Sequence, residues 1–399
     1  MVVWIAACSD HCIALRTRVR QILKKLAKTL FIACVWTLLH SGGAFAQPAP
    51  AQPWSLSLGM TSSYDSNLLL SGPGGAGGVG SSFQAGLGHS LTFGSRGGLR
   101  LAASVSRLLY LKSSDLNRLA YDVAVSGSYA FTRRFSWTIS DAVASSYAQD
   151  VKLLTDSGIL LPKVVTLTHS ASTQFGYALT PRTDIRVGAA AQSVGFDSLT
   201  YKGGANVSAT FGLGRRLTPS QTLNITQAFQ RTQSDAGGAA IQALLAAWQL
   251  NRGRATFSAM GGVQPYTVPG HPGYQFSPGG GAGWSMRLNE SHSIGISYDR
   301  TIEQALDRTH LVQAVTGTYA LKYRRLAFQS SGNYARGTYP VIEDLILIGK
   351  LGSASLQYLI APNLSLGVGS TVYFYRLKPN PGVSSHRTTM SLSYSTTWR

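Results

Sequence analysis

Leu119-Ala120-Tyr121-Asp122-Val123-Ala124-Val125-Ser126-Gly127-Ser128-Tyr129-Ala130-Phe131 alternates without a break. Side chains in an extended chain point to opposite faces in turn. Leu119, Tyr121, Val123, Val125, Tyr129 and Phe131 therefore share one face, and Ala120, Asp122, Ala124, Ser126, Ser128 and Ala130 the other. Strands of soluble proteins average about 5 to 6 residues, whereas a tilted strand crossing a bilayer needs about 9 to 11. This stretch is long enough to cross.

The same split recurs elsewhere. Val165, Leu167, Ala171, Phe175, Tyr177 and Leu179 separate from Thr166, Thr168, Ser170, Ser172 and Gln174, and Leu364, Leu366, Val368, Val372 and Phe374 separate from Ser365, Gly367, Gly369 and Thr371. Eight short turns punctuate the chain at a roughly even spacing: Ser95–Gly98, Thr132–Arg134, Thr180–Thr183, Thr218–Gln221, Asn251–Arg254, Asn289–His292, Tyr323–Arg325 and Ala361–Asn363. Each sits between two such segments, and longer polar loops lie between the hairpins. The pattern predicts an all-β, transmembrane antiparallel barrel of about 18 strands, with 16 as the alternative count. Aromatics near both strand ends, such as Trp137, Tyr177 and Trp284 at the turn side and Tyr121, Tyr298 and Tyr334 at the loop side, match the two girdles of such a barrel.

Asp141 and Arg107 fall on the apolar phase of their strands. A charge facing the lipid midplane costs roughly 2 to 4 kcal/mol for Arg and less for Asp. A β-bulge that shifts the phase is the expected remedy. Ile241–Leu250 and Phe276–Leu288 alternate weakly, the latter interrupted by Pro278.

The start of the chain carries an address. Arg16, Arg18, Arg20, Lys24, Lys25 and Lys28 precede an apolar run from Leu30 to Leu39, followed by Ala44-Phe45-Ala46. This reads as a signal peptide over 1–46, cleaved after Ala46, with the barrel domain over 47–399. The apolar run is too short for a spanning helix. All three cysteines (Cys8, Cys12, Cys34) fall in the leader, so the mature chain has no thiol chemistry, disulfide or lipid-anchoring cysteine.

Tyr64-Asp65-Ser66-Asn67, behind the first strand, together with Leu179-Thr180-Pro181, Leu217-Thr218-Pro219 and Ile360-Ala361-Pro362, resembles the β-barrel porin type 2 family. The resemblance implies a Gram-negative outer-membrane protein, and some members are encoded beside exopolysaccharide or exosortase systems. Met390, Leu392, Tyr394, Thr396 and Trp398 resemble the aromatic-ended signal read by the outer-membrane assembly machinery, displaced by one residue because Arg399 follows.

The chain has 35 basic and 16 acidic residues, and the leader removes six of the former and only Asp10 of the latter. The excess gathers at the turn end. Arg96, Arg100, Arg133, Arg134, Arg182, Arg186, Arg215, Arg216, Arg252, Arg254, Arg287, Lys322, Arg324, Arg325 and Arg399 face only Asp184 and Glu290 there. Short turns of this barrel class face the periplasm. Guanidinium groups around a water-filled mouth would concentrate anionic solutes or polysaccharide, because low-dielectric walls focus the field. Arg100, Arg186, Arg287, Lys322 and Arg325 fall on the inward phase and are the pore-lining candidates. The other reading is that turn arginines grip anionic headgroups of outer-membrane lipid and fix the barrel vertically.

The six histidines after the leader (His89, His169, His271, His292, His310, His386) share no spacing with a nucleophile or acid, so no enzymatic activity is expected. No ligand spacing points to a metal, no segment to a cofactor, and the basic rim lacks any nucleic-acid-binding motif. The functional expectation is a porin-like channel for small or anionic solutes or the outer-membrane pore of an exopolysaccharide export system. The alternative is a non-conducting structural or surface-interaction barrel. Oligomeric state is not legible, because an apolar wall that meets a second copy reads like one that meets lipid.

Overall fold

The computed structural model describes residues 54–67, 77–147, 164–197, 203–234, 237–268, 273–305, 308–339, 342–378 and 382–398. They form eighteen strands. In chain order these are β1 (Trp54–Asp65), β2 (Gly78–Phe93), β3 (Gly97–Tyr110), β4 (Arg118–Ala130), β5 (Phe135–Tyr147), β6 (Val165–Thr180), β7 (Thr183–Phe196), β8 (Gly204–Thr218) and β9 (Gln221–Ser234). The second half contributes β10 (Gly237–Arg252), β11 (Ala255–Tyr266), β12 (Gln275–Arg287), β13 (His292–Ala305), β14 (Arg308–Tyr323), β15 (Leu326–Tyr339), β16 (Ile342–Ala361), β17 (Leu364–Leu377) and β18 (Val383–Trp398). Every strand pairs antiparallel with its chain neighbours, and β1 pairs with β18 from Trp54–Trp398 to Asp65–Arg387, so the sheet closes into a barrel. The leader lies outside the described residues.

The turns stand where the sequence places them. Gly94 and Gly253 adopt positive φ of 57° and 58° in their turns, and Arg324 does so at 51°, its guanidinium carbon 5.3 Å from the Tyr323 ring centre. At the other end the connections are shorter than expected in places: only residues 235–236, 306–307 and 340–341 separate β9 from β10, β13 from β14 and β15 from β16. The strands are correspondingly longer than one crossing requires, from 12 residues in β1 to 20 in β16. Pairing continues past the lipid band into these loop-side hairpins.

Register fixes the two faces, because cross-strand partners share a side. Tyr121 is opposite Val105 and Ser145, Val123 opposite Ala103 and Val143, and Val187 opposite Phe175 and Phe211. This apolar set faces outward. The intervening Ser126, Ser128, Ser136, Thr138, Ser140, Ser170, Ser172 and Gln174 face the lumen, and all are exposed.

The bulges expected at Asp141 and Arg107 are not there. Ladder irregularities occur at Ala178/Thr180, Arg216/Thr218, Thr338/Tyr339 and Leu359/Ala361, whereas register runs unbroken through Val125–Asp141–Ala171 and Phe83–Arg107–Leu119. Both charges do project outward. Asp141 is compensated by a partner from the next strand: His169 Nε2 stands 2.7 Å from its Oδ1. Arg107 lies near the loop end, where a long side chain reaches the headgroup level.

Pro278 leaves a local mark on β12. The β11–β12 ladder passes through Val263–Pro278, but β12 pairs with β13 only as far as Gly280–Arg300. Above that point Gln264 of β11 takes over: its Oε1 accepts from the Ile302 N–H at 2.9 Å and its Nε2 donates to Thr301 Oγ1 at 3.2 Å. The amide passes over Gly279, where an added Cβ would stand 2.6 Å from Gln264 Cδ. Gly279→Ala is expected to push the amide aside and leave the Ile302 N–H unpaired. The loss should be roughly 1 to 3 kcal/mol in urea unfolding, with faster amide exchange at Ile302.

Candidate functional site: the turn-end mouth

Strand alternation decides which turn-end cations enter the lumen. Arg100 of β3 sits between Ser90 and Ser126 in register and alternates with outward Leu99 and Leu101, so it points inward. Arg186 of β7 lies inward between Gly176 and Gly212, with Nε 2.7 Å from Asp184 Oδ2. Arg287 of β12 is opposite Ser293, and Lys322 of β14 is opposite Ala327, both on the inward face. Arg100, Arg186, Arg287 and Lys322 are all exposed. Arg325 belongs to no strand: it occupies the turn between β14 and β15, where its Nη1 donates to the Ile360 carbonyl at 3.4 Å.

Arg216 joins the inward set and was not among the sequence candidates. In the tandem Arg215-Arg216, Arg215 pairs with outward Leu223 and Arg216 with Thr222, on opposite faces. Adjacent strand residues must split in this way, so the pair itself was the available signal. Five inward cations therefore stand on β3, β7, β8, β12 and β14 at one end of the barrel, and Asp184 offsets the Arg186 charge. Asp65, Asp122 and Asp299 are also inward by register but lie farther toward the loop end.

The opposite rim is built differently. Tyr147 donates to the Leu116 carbonyl and packs with Leu116 against Leu108, Tyr110 and Val165, while Arg118 stands 5.4 Å from the Tyr147 ring centre. Ile241, Tyr266 and Ile302 form a second buried cluster with Val268 and Leu311. Tyr64-Asp65-Ser66-Asn67 clasps the closing seam here. Asp65 Oδ1 accepts from Ser385 Oγ and, at 3.1 Å, from the Asn67 N–H, while Oδ2 faces Arg387 Nε at 3.4 Å. Ser66 exchanges hydrogen bonds with the His386 backbone through its own N–H and Oγ, both at 2.9 Å. Of the longer loops at this end, residues 68–76, 148–163 and 269–272 lie outside the described residues, as does His271.

The other histidines do not converge on a reaction centre. His169 pairs with Asp141 and His386 Nε2 contacts Ser370 Oγ at 2.9 Å, but both contacts lie on the outer wall, on separate hairpins. Among the described residues no group of three or more His, Cys, Asp or Glu side chains could hold a metal ion.

No protein-family model matches the chain, and no curated protein matches it in sequence. Solved structures do match in shape. The chain is similar to OccAB4 of Acinetobacter baumannii, with a TM-score of 0.50 and 10% identity over 88% of this chain and 99% of that one. It is similar to the siderophore receptor PirA from Acinetobacter baumannii, with a TM-score of 0.50 and 7% identity over 88% of this chain and 81% of that one. OpdK from Pseudomonas aeruginosa, crystallised with vanillate, gives a TM-score of 0.49 and 14% identity over 86% of this chain and 99% of that one. At such identities what is shared is the fold, a closed antiparallel barrel.

Proposed function

We propose that the chain is an outer-membrane channel whose turn-end mouth, facing the periplasm, favours anions. The observation that carries this reading is the convergence of Arg100, Arg186, Arg216, Arg287 and Lys322 on the inward face of one mouth. An 18-strand barrel is wide enough by geometry to hold water, and the exposed serines and threonines of β5 and β6 supply a polar lining. OccAB4 shares this fold, and a shared fold does not by itself assign a role. In the same proposal the leader directs export and is removed after Ala46, and the outward side chains of β18 are read by the assembly machinery. A role in polysaccharide export is a narrower form of the same reading. The motif that suggested it, Tyr64–Asn67, is accounted for as a seam clasp and lends that role no separate weight.

The test is conductance of the refolded protein in a planar bilayer. Stepwise current from protein whose gel mobility shifts on boiling is the expected result. A folded, heat-modifiable barrel that passes no current at any salt would instead leave the structural or surface-interaction role.

A further inference from the structure

We propose that the outer wall carries a cationic belt that binds the phosphate groups of outer-leaflet lipid, with its strongest site on β13–β17. The belt consists of Arg107, Arg231, Arg300, Arg336, Lys350 and Arg376, all outward by register. Four of the arginines stand two residues beyond an outward aromatic on the loop side, in the pairs Phe229/Arg231, Tyr298/Arg300, Tyr334/Arg336 and Phe374/Arg376. Arg107 is paired with Leu119, itself two residues beyond Tyr121. Aromatic girdles mark the lipid–water boundary, so a cation one outward step past the girdle sits at headgroup depth.

The β13–β17 arc is the dense part. Arg300, Gln313, Arg336, Ile348 and Arg376 follow one another along a single register row, so the arginines fall on every second strand, about 10 Å apart at the usual strand spacing. One residue pair below, Lys350 lies between Tyr334 and Phe374 in register, with Nζ 6.0 Å and 5.6 Å from their ring centres. Among the described residues none of the six forms an ion pair, and Nε of both Arg300 and Arg376 has no hydrogen-bond partner. A patch of four cations with three donors or more each, set in a wall whose other outward side chains are mostly apolar, matches a phosphorylated headgroup whose acyl chains lie along that wall. Free phosphate offers the charge but not the chains, and is the weaker ligand.

The experiment uses the refolded full barrel in zwitterionic detergent, with diphosphorylated lipid A as the probe and native mass spectrometry as the readout. The variant combining Arg300→Gln, Arg336→Gln, Lys350→Gln and Arg376→Gln should lose at least tenfold in affinity. Removing the phosphates from lipid A should weaken binding to wild type by a similar factor, and inorganic phosphate at equal concentration should not compete. Equal affinity of wild type for phosphorylated and dephosphorylated lipid A would overturn the proposal, as would full competition by inorganic phosphate. Because glutamine can disturb a strand, each variant is required to keep its heat-modifiable mobility. If the four-residue variant does not fold, the single Arg336→Gln and Lys350→Gln variants must each weaken binding, or the site is rejected.

Discussion

An Asp65→Ala barrel is expected to lose about 3 kcal/mol of unfolding free energy in urea and to convert to the slow-migrating form at lower temperature. Asp65 is 6% exposed and Arg387 19%, so the pair sits in the closing seam largely shielded from water. Breaking a buried pair by removing one partner typically costs about 3 to 5 kcal/mol. The lower figure applies because Arg387 keeps some contact with solvent. The alanine also removes the acceptor for Ser385 Oγ and the Asn67 N–H. The β1–β18 ladder itself persists, so the barrel should still close while its loop-side end frays. Asp65→Asn, which retains one acceptor oxygen but no charge, should fall between wild type and alanine. A loss under about 1 kcal/mol for Asp65→Ala would show that backbone pairing alone holds the seam.

This seam shows how far the sequence could be read. Strand positions, turns and the count of eighteen follow from local alternation, because lipid on one side and water on the other act on each residue separately. What joins strands distant in sequence is not local. Asp65 and Arg387 meet only because the first and last strands pair, and nothing near either residue announces the other. Asp141 fails for the same reason. On its own strand it is a charge on the wrong face and a bulge is the economical remedy, whereas His169, on the next strand, supplies the compensation. Pro278 disturbs its own strand, as its missing N–H requires, but the Gln264 amide that repairs the gap comes from the neighbouring strand. The mouth was legible to the extent that it depends on alternation. Arg100, Arg186, Arg287 and Lys322 point where their phase puts them, and Arg325 departs because a turn residue has no phase to follow.

Replacing Arg100, Arg186, Arg287, Lys322 and Arg325 together with glutamine is expected to move the reversal potential in a salt gradient toward cation preference while conductance persists. A unit charge about 15 Å from the axis, a distance suited to a barrel of this strand number, contributes roughly 0.3 kcal/mol in water. Three such charges, with Arg186 discounted for Asp184 and Arg325 outside the inward set, sum to roughly 0.8 kcal/mol, which enriches anions about fourfold before screening. At 0.01 M salt the Debye length of about 30 Å spans the mouth and most of this remains, whereas at 1 M it shrinks to about 3 Å and the effect should vanish. The shift should therefore be large in dilute salt and absent in concentrated salt, a dependence that altered pore width would not produce. Adding Arg216→Gln should enlarge it, since Arg216 also faces inward. Arg133→Gln with Arg134→Gln and Arg252→Gln with Arg254→Gln change turn residues and the outward last residue of β10, none of them on the inward face of a strand, and should leave the potential in place. If the five-residue variant keeps both its conductance and its reversal potential in dilute salt, the mouth does not select anions, and its cations serve to seat the barrel on the inner leaflet.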